Sequence, residues 1–211
     1  LNVDSCGSAT YKITSTEGLQ KLATLVNEGK GGSGSRFVLM NDIDLSSVDN
    51  WTPIGDYSHS FEGYFYGNGH VISNMNIRTD RGLDYIGLFG CSKTNIQDLI
   101  LKDASIDLGG DWGSSSAGLL VDTNMGNLKN IAISGAITGR LGDVGGCCAR
   151  NYKNIEAVNV VVDITNKLSD GSNVGGIVGY TKSTLSDSYV SGNMYGNGGA
   201  LCGNISLGGS V

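Results

Sequence analysis

Three short apolar elements recur in a fixed order, and this internal repeat constrains the fold more than any other feature. The first element occupies residues 87–90, 118–121, 146–149, 176–179 and 200–203. The second follows at residues 96–101, 128–133, 155–160 and 185–190, with an earlier copy at 72–77. The third is a single apolar residue at Ile106, Ile137, Ile164 and Met194. Repetition of this kind predicts an architecture built from similar stacked units.

The intervals between the elements are nearly constant on two sides of the repeat. The first element leads to the second, and the second to the third, after 9 or 10 residues, whereas 6 to 12 residues lead to the next copy. Val, Ile and Leu dominate the elements, which is typical of short strands. Gly, Asn, Asp and Ser lie between them and favour turns. Each copy is therefore predicted to hold three strands, with one connection free to vary.

A copy of 24 to 31 residues cannot bury its apolar face alone, but stacked copies can. Propeller blades need roughly 40 to 50 residues and leucine-rich repeats need a different Leu pattern, so both are excluded. We predict an all-β chain, a parallel β-helix or solenoid, that rises about 4.8 Å per coil. Its coils are expected to occupy residues 61–211, and the last coil is expected to be incomplete.

One position of the second element is polar in most copies. Its members are Asn74, Asp98, Asn130, Ala157 and Asp187. Polar side chains stacked one coil apart can hydrogen-bond along the column, as Asn ladders do in other stacked sheets. We interpret the column as structural, with a ligand-binding row of carboxylates as the alternative.

Residues 1–60 follow a different pattern and are predicted to form an N-terminal cap. Apolar residues at helical spacing predict one short helix over about residues 15–28. Thr14 and Glu17 form a candidate capping box, and Gly29 stands where a C-terminal cap belongs. Strands are expected to begin at residues 37–45. Such a helix would cover strand edges that otherwise favour aggregation.

The blocks at residues 13–19, 37–45, 51–55, 61–72 and 86–90 occur in an order that resembles GLUG-motif proteins. The resemblance extends from residue 11 to about residue 205. It implies a right-handed β-helix in a secreted or surface-attached, often adhesin-like protein, and similar repeats accompany peptidase domains that cleave immunoglobulin A. The Cys residues and the half coil after Ile205 depart from the pattern, and no peptidase motif is found.

Composition and charge narrow the function classes. The chain has 34 Gly and 1 Pro without a Gly-X-Y period, which excludes collagen. A net charge of -6 without a basic cluster argues against nucleic acid as a partner. No apolar run approaches the roughly 20 residues of a membrane helix, so no membrane insertion of this segment is expected.

The repeat geometry indicates whether two of the cysteines can form a disulfide. Cys148 and Cys202 share a repeat column two coils apart, about 9.6 Å, which exceeds the roughly 7 Å that a disulfide allows between Cα atoms. They are predicted to be buried free thiols. Cys147 and Cys148, as strand neighbours, are predicted to point to opposite faces. Cys6 and Cys91 could pair, and the sequence leaves that open.

Candidate catalytic and metal-binding residues do not form a recognisable set. His59 and His70 lack partners at metal-ligand spacing, so neither a metal nor another cofactor is expected. A polysaccharide-lyase site would need clustered acids and a base on one face. The candidates for one are Asp122, Arg140, Asp143, Arg150 and Lys153. Because their repeat phases differ, they are not expected to share a face.

The connections of variable length are the better functional clue, since insertions in solenoids gather on one face. They cover residues 107–116, 138–144 and 165–174. The candidate contact residues there are Asp111, Trp112, Arg140, Asp143, Lys167 and Asp170. Trp112 is either an exposed stacking ring or folded back on the solenoid. Asn50 and Asn204 lie in N-glycosylation sequons. Chance is the alternative explanation, because the chain is rich in Asn and Ser.

These observations predict a non-enzymatic, structural or adhesive protein that is extracellular or on the cell surface. Its expected partner is a host or neighbouring-cell surface protein or glycan, or another copy through the end of the β-helix. Two alternatives stay open. One is an accessory repeat domain of a larger surface peptidase or polysaccharide-degrading enzyme. The other is a self-assembling subunit of an extracellular filament.

Overall fold

The computed structural model describes residues 9–79, 84–109, 115–168, 170–206 and 209–211. These residues form a parallel β-solenoid of about 6 turns with one short helix, as predicted. Three sheets run along the solenoid, and we call them A, B and C. Described helices include none that is long and apolar enough to cross a membrane.

Sheet A contains twelve strands. In chain order they are β1 (Thr10–Ile13), β2 (Arg36–Leu39), β3 (Ile43–Asp44), β4 (Tyr64–Tyr66), β5 (Val71–Ser73), β6 (Asn76–Thr79), β8 (Ile96–Leu108), β11 (Leu128–Gly139), β14 (Ile155–Asn166), β17 (Leu185–Ser186), β18 (Tyr189–Ser191) and β19 (Met194–Tyr195). The pairing of β2 with β4 makes the sheet continuous across residue 60. This continuity does not test the division of the chain at residue 60, which stays a prediction.

Sheets B and C are formed by the shorter strands. Sheet B contains β7 (Phe89–Ser92), β10 (Val121–Asn124), β13 (Cys148–Asn151), β16 (Val178–Thr181) and β21 (Cys202–Ile205). Sheet C contains β9 (Ser115–Gly118), β12 (Leu141–Gly145), β15 (Asn173–Gly175) and β20 (Gly198–Gly199). The elements of the sequence repeat thus correspond to positions on different sheets of one coil.

The strand register confirms most of the predicted columns. The third repeat element stacks as Ile106, Ile137, Ile164 and Met194. The earlier copy at residues 72–77 is placed wrongly by the sequence, because Ile72 pairs with Leu101 and not with Ile96. The long strand β8 bends at Asp98 and again at Asp103. Apolar and polar residues alternate in the same way at both bends, so the sequence alone does not show which bend residues 72–77 pair with.

A left-handed residue marks each of these bends. Asp98, Asn130, Ala157 and Asp187 have φ between 50° and 56°, a conformation that Asn and Asp tolerate better than most residues. Asn130 Nδ2 donates to Asp98 Oδ1 at 2.7 Å. This hydrogen bond, followed by one from Gln97, lowers the pKa of Asp98. The contact supports the structural interpretation of the column.

Asn74 belongs to the second bend and not to the column that the sequence predicts. Its Nδ2 donates to Asp44 Oδ1 at 2.8 Å, and its backbone N–H bonds to the carbonyl of Lys102. Asp103, one residue further along β8, also has a positive φ of 53°. The two bends therefore use the same chemistry at different places in the coil.

The predicted helix is α1 (Thr16–Asn27). Its N-cap is Ser15, whose Oγ accepts from the N–H of Gly18, so the proposed cap at Thr14 is wrong by one residue. Gly29 follows the helix with φ 85°, as expected of a C-terminal glycine. The buried helix side chains join the core of the first coils: Leu19, Leu22, Ala23 and Val26.

The core changes in character along the stack. Four phenylalanines at positions 37, 61, 65 and 89 pack with ring centroids 5.2 to 6.4 Å apart near the helix. Aliphatic and Cys side chains replace them in later coils. Sheets B and C approach so closely that a Cβ on Gly179 would lie 2.7 Å from the backbone nitrogen of Val144. Glycine is required there because any side chain would collide with the opposing backbone.

Candidate binding face

Sheet B carries columns of side chains that sequence analysis did not single out. Parallel pairing places Thr123, Arg150, Tyr180 and Asn204 in one column, one residue per coil. Tyr152 and Lys182 follow one position after the ends of β13 and β16, and both are exposed. Successive members of such a column lie about 4.8 Å apart. Residues from distant copies therefore meet on one surface.

Tyrosine rings dominate this surface. The centroids of Tyr152 and Tyr180 lie 6.5 Å apart with their ring planes inclined at 64°, and Lys182 Nζ lies 5.7 and 5.8 Å from them. Both distances fall within the range of a cation–π contact. A second pair, Tyr57 and Tyr85, has centroids 6.5 Å apart and stacked rings. Tyr57 is 64% exposed and Tyr152 is 37% exposed, so both pairs reach solvent.

A cavity of about 510 Å³ lies between Tyr152 and the pair of Tyr57 and Tyr85. It is lined by Tyr57, Tyr85, Thr123, Met125, Arg150, Tyr152 and Lys153. A second cavity of about 430 Å³ adjoins it and shares Met125, Tyr152 and Lys153. We call the surface formed by the residues of the first cavity, with Tyr180 and Lys182, the tyrosine face.

The cations of the tyrosine face have different partners. Arg150 Nε donates to Asp143 Oδ2 at 2.5 Å. Burial opposes the charge on Arg150, but the contact with Asp143 outweighs burial and raises the pKa of Arg150. Lys93, in the adjoining cavity, pairs with Glu62 at 3.0 Å. Within the described ranges, Lys153 and Lys182 form no ion pair.

A buried carboxylate, Asp122, lies beneath this surface. Its Oδ2 accepts from Ser116 Oγ at 2.7 Å and from the Ile86 N–H at 3.3 Å, and its Oδ1 accepts from Thr123 Oγ1 at 2.9 Å. Burial raises the pKa of Asp122 despite these bonds. The group has no exposed surface, so its position is that of a structural acid and not of an accessible catalyst.

A buried polar ladder at the end of sheet B was also missed. Asn124 Nδ2 donates to Asn151 Oδ1 at 2.8 Å, and Asn151 Nδ2 donates to Thr181 Oγ1 at 3.1 Å. Asn124 also bonds to the carbonyl of Gly126, so the ladder fixes the turn into sheet A. The signal was present, because polar residues recur at this position in successive copies. A repeat defined by its apolar elements does not reveal this polar position.

The structure places the predicted loop residues at several locations. Asp143 joins the tyrosine face through Arg150, and Arg140 is partly buried between β11 and β12. Lys167 and Asp170 are exposed after β14. Asp111 and Trp112 lie outside the described residues. Their role in binding stays a prediction.

The two sequon asparagines are exposed and engaged in hydrogen bonds. Asn50 exchanges two hydrogen bonds with the backbone of Arg78, at 2.8 and 3.1 Å. Asn204 Nδ2 donates to Asn173 Oδ1 at 3.2 Å. Asn50 also borders a cavity of about 340 Å³ between α1 and Trp51. Glycosylation at either asparagine stays a prediction.

The candidate lyase residues partly come together, contrary to expectation. Arg150 and Lys153 line one cavity, with Asp143 bonded to Arg150 and Asp122 buried below. These residues occupy different positions of the repeat. They still lie close together, because sheets B and C pack against each other. The described residues contain no group of three or more His, Cys, Asp or Glu side chains suited to a metal ion.

The predictions for the cysteines are confirmed only in part. Cys148 and Cys202 share a column with Val178 between them and both are free thiols, but only Cys148 is buried, whereas Cys202 is partly exposed. Cys147 and Cys148 are both fully buried. They are not neighbours on one strand as predicted, because Cys147 lies in the turn between sheets C and B and β13 begins at Cys148, so strand alternation does not apply to the pair. Cys91 is a buried free thiol, and Cys6 lies outside the described residues.

Both histidines lie in polar surroundings. His70 Nδ1 lies 3.0 Å from Asp42 Oδ1, and the same oxygen accepts from the N–H of Val71. The bond from Val71, followed by that from His70, lowers the pKa of Asp42. His59 contacts Asp56 at 3.5 Å. These contacts are consistent with a structural role in turns.

Comparison with known proteins finds relatives for parts of the chain. No protein-family model matches it. It is 31% identical over 150 residues to Halomucin of Haloquadratum walsbyi, which covers 64% of this chain and 2% of Halomucin. It is 35% identical over 109 residues to a protein provisionally named a Gly-rich membrane protein of Evansella cellulosilytica, covering 48% of this chain and 12% of that protein. The chain thus spans a small part of each relative.

The fold also resembles a solved structure. A Bacteroides ovatus protein, provisionally named an immunoglobulin A1 protease, matches with a TM-score of 0.67 and 18% identity. The match covers 95% of this chain and 63% of that one. Identity this low shows the fold alone. The chain is therefore a parallel β-solenoid with repeats like those of surface-type proteins, and the GLUG resemblance itself remains an interpretation.

Proposed function

We propose that this chain is a non-enzymatic module of a secreted or cell-surface protein that holds a binding surface on a rigid solenoid. The tyrosine face is the surface in question. The observation that carries the proposal is the ladder of Tyr152, Tyr180 and Lys182, in which an exposed ring, a half-buried ring and an exposed cation are held on neighbouring coils. Aromatic side chains of this kind dominate the energetics of many interfaces.

The backbone beneath the face supports a role in rigid display. Strands β10, β13 and β16 each pair with a neighbour on both sides. Their N–H and C=O groups are used within the sheet, so side chains supply the contacts available to a partner. The names of the two sequence relatives support a location at the cell surface.

The chemistry of the face supports binding more than catalysis. Asp122 is buried, and Arg150 is held by Asp143, which leaves neither free to transfer a proton to a substrate. Lys153 is exposed without an ionisable neighbour in ion-pair contact among the described residues. A general base is normally oriented by a neighbouring polar or charged group.

The test is binding to an array of glycans and extracellular matrix proteins, with Tyr152→Ala as the variant. Tyr189→Ala is the matched control, because Tyr189 is 62% exposed on sheet A. We expect at least one ligand whose signal falls about tenfold for Tyr152→Ala, corresponding to roughly 1.4 kcal/mol, and is unchanged for Tyr189→Ala. Equal losses in both variants, or no bound ligand, would contradict the proposal.

An enzymatic arm completes the test. The protein is incubated with immunoglobulin A1 and with acidic polysaccharides, and products are followed by electrophoresis and by absorbance of unsaturated sugars. We expect no cleavage. Turnover that Lys153→Gln abolishes would replace the binding proposal by the enzyme alternative.

Self-association through the last coil is a second candidate. It is favoured by Ile205, which is 47% exposed at the edge strand β21. Within the described residues, this strand pairs on one side only, which leaves backbone groups for another chain. Light scattering at high concentration should show oligomers that Ile205→Lys dissolves. A monomer at every concentration would remove this candidate.

A further inference from the structure

We infer that the tyrosine face binds an acidic polysaccharide, one that carries carboxylate or sulfate groups along its chain. The inference rests on the proposed binding function and adds the chemical class of the ligand. Three properties of the face support it: the arrangement of its rings, the sign of its charge, and the absence of free backbone groups.

The rings suit a saccharide because the C–H faces of a pyranose are apolar while its edge is polar. Tyr152 and Tyr180 present ring surface together with hydroxyl groups, so one side chain supplies both kinds of contact. Tyr57, Tyr85 and Tyr152 line an open cavity of about 510 Å³, and Tyr180 packs against Tyr152 beside it. This space suits a chain that enters at one side and leaves at the other.

The charge of the face is opposite to that of the whole chain. The net charge is -6, yet neither of the two adjoining cavities has Asp or Glu among its lining residues, and the nearby Glu62 and Asp143 each pair with a cation. Lys153 and Lys182 are exposed and form no ion pair in the described segments. An anionic group of the ligand would therefore find two available cations at the Tyr152 end.

The opposite end of the face carries acids instead. Asp56 and Asp84 adjoin Tyr57 and Tyr85 in sequence. Burial raises the pKa of Tyr85, and the charge of Asp84 adds to the effect. Anionic groups are thus expected near Lys153 and Lys182, with neutral sugar units over the Tyr57 and Tyr85 pair.

The sheet geometry favours a saccharide over a peptide. A peptide commonly gains affinity by adding a strand to a free sheet edge. The strands below the face have no free edge, since β10, β13 and β16 are interior strands of sheet B. Single-stranded nucleic acid also stacks on aromatic rings, but it normally requires a basic groove that follows the backbone. This face offers a few cations on an acidic protein.

The experiment measures affinity by calorimetry for four probes of six units each. They are hexagalacturonate, a heparin hexasaccharide, neutral cellohexaose and the oligonucleotide dT6. The protein variants are Lys153→Gln with Lys182→Gln as a double change, and Tyr152→Ala. The controls are Lys21→Gln, at an exposed position of α1, and Tyr189→Ala. Circular dichroism verifies that each variant is folded.

We expect one or both acidic saccharides to bind, and the double Lys variant to lose about tenfold or more in affinity, since it removes two charge-assisted contacts. Binding should weaken from 50 to 500 mM salt because screening shortens the range of the charges. The controls should bind as the wild type does. Comparison of the two acidic probes distinguishes carboxylate from sulfate.

Each contrary outcome is informative. If cellohexaose binds as tightly as the acidic probes, or the Lys changes have no effect, the anionic assignment is wrong and the binding function stands. The same conclusion follows if no acidic saccharide binds while the array yields another ligand that depends on Tyr152. Tighter binding of dT6 would assign the face to nucleic acid. A folded protein that binds nothing in either experiment overturns both proposals.

Discussion

The two ends of the solenoid bury their side chains to different degrees. At the helix end, Phe37, Phe61 and Phe65 are fully buried and in mutual contact. At the other end, no described hydrophobic residue after Leu185 is fully buried, and Met194 and Leu201 only pack against the core from outside. A coil with neighbours on both sides buries its side chains, whereas a coil with one neighbour does not. Local stability should therefore fall from the helix toward the last coil.

The most direct test of this gradient removes one core side chain at each end. Phe65→Ala should lower the free energy of unfolding by about 3 to 5 kcal/mol, because it leaves a cavity among packed rings. Leu201→Ala removes a partly exposed side chain and should cost about 1 kcal/mol or less. Urea denaturation measures both. Equal losses would show that the last coil is as tightly packed as the first.

A second test uses Asp122, a buried acid at a position of the coil that the following coils fill with small residues. Those residues are Ala149, Gly179 and Gly203. Burial raises its pKa in the folded protein. Its stabilising contribution is therefore complete below the unfolded pKa of about 3.9 and is lost as the pH rises through the folded pKa. Relative to Asp122→Asn, the wild type should lose stability as the pH rises above about 4.

The asparagine variant can keep most of the contacts. Its Oδ1 can accept from Ile86 and Ser116, and its Nδ2 can donate to Thr123. Asp49→Asn, which removes one carboxylate at an exposed position, serves as the control for the change in charge. Urea titrations at several pH values provide the measurement. A constant difference between wild type and Asp122→Asn would mean that Asp122 is ionised in the folded protein at no cost.

A third test follows thiol labelling in a Cys6→Ser background. Cys202 lies at the open end and is half buried, whereas Cys148 is fully buried two coils away. Burial raises the pKa of both thiols, and more strongly for Cys148. Labelling of Cys202 by iodoacetamide should be on the order of tenfold faster or more, because opening of the last coil needs less free energy than global unfolding. Equal rates, followed by mass spectrometry, would indicate that the solenoid opens as one unit.

The smallest expected effect comes from the column of left-handed residues. Ala157 has φ 54° and is the one member of its column without a polar side chain. Ala157→Asn should raise the free energy of unfolding by about 0.5 to 1 kcal/mol, since Asn tolerates this conformation and can bond to Asn130 or Asp187. Ala157→Val is the opposite control and should destabilise. If the Asn variant is no more stable, the ladder contributes little to this half of the molecule.

The sequence predicts much of the fold because its information is periodic. The column of Ile106, Ile137 and Ile164 follows directly from constant spacing and branched aliphatic residues. The position of residues 72–77 does not, since both bends of β8 use an apolar, polar, apolar pattern and only long-range pairing distinguishes them. A change of one residue in connection length has the same effect: Gly118 pairs with Gly145 and not with Gly146.

The candidate site was less accessible to sequence analysis. Tyr152 and Tyr180 lie 28 residues apart, and nothing in the repeat marks them as partners until the register is known. Tyr57 comes from the region assigned to the N-terminal cap and reaches the same cavity. The contact between Arg150 and Asp143 depends on the close approach of sheets B and C, which no spacing rule predicts. Surfaces formed by several coils require the stacking geometry as well as the repeat.

The in-register stacking of sheet B has a consequence for how such a face can evolve. Each coil contacts only its neighbours, so duplication of one coil in the gene would insert a complete unit without disturbing the rest. A copy of the coil that contains Tyr152 would add one more ring and one more cation, about 4.8 Å further along. A polymeric ligand would then meet another equivalent subsite at high effective concentration. Affinity for long ligands could thus be tuned by coil number, with no new contact chemistry.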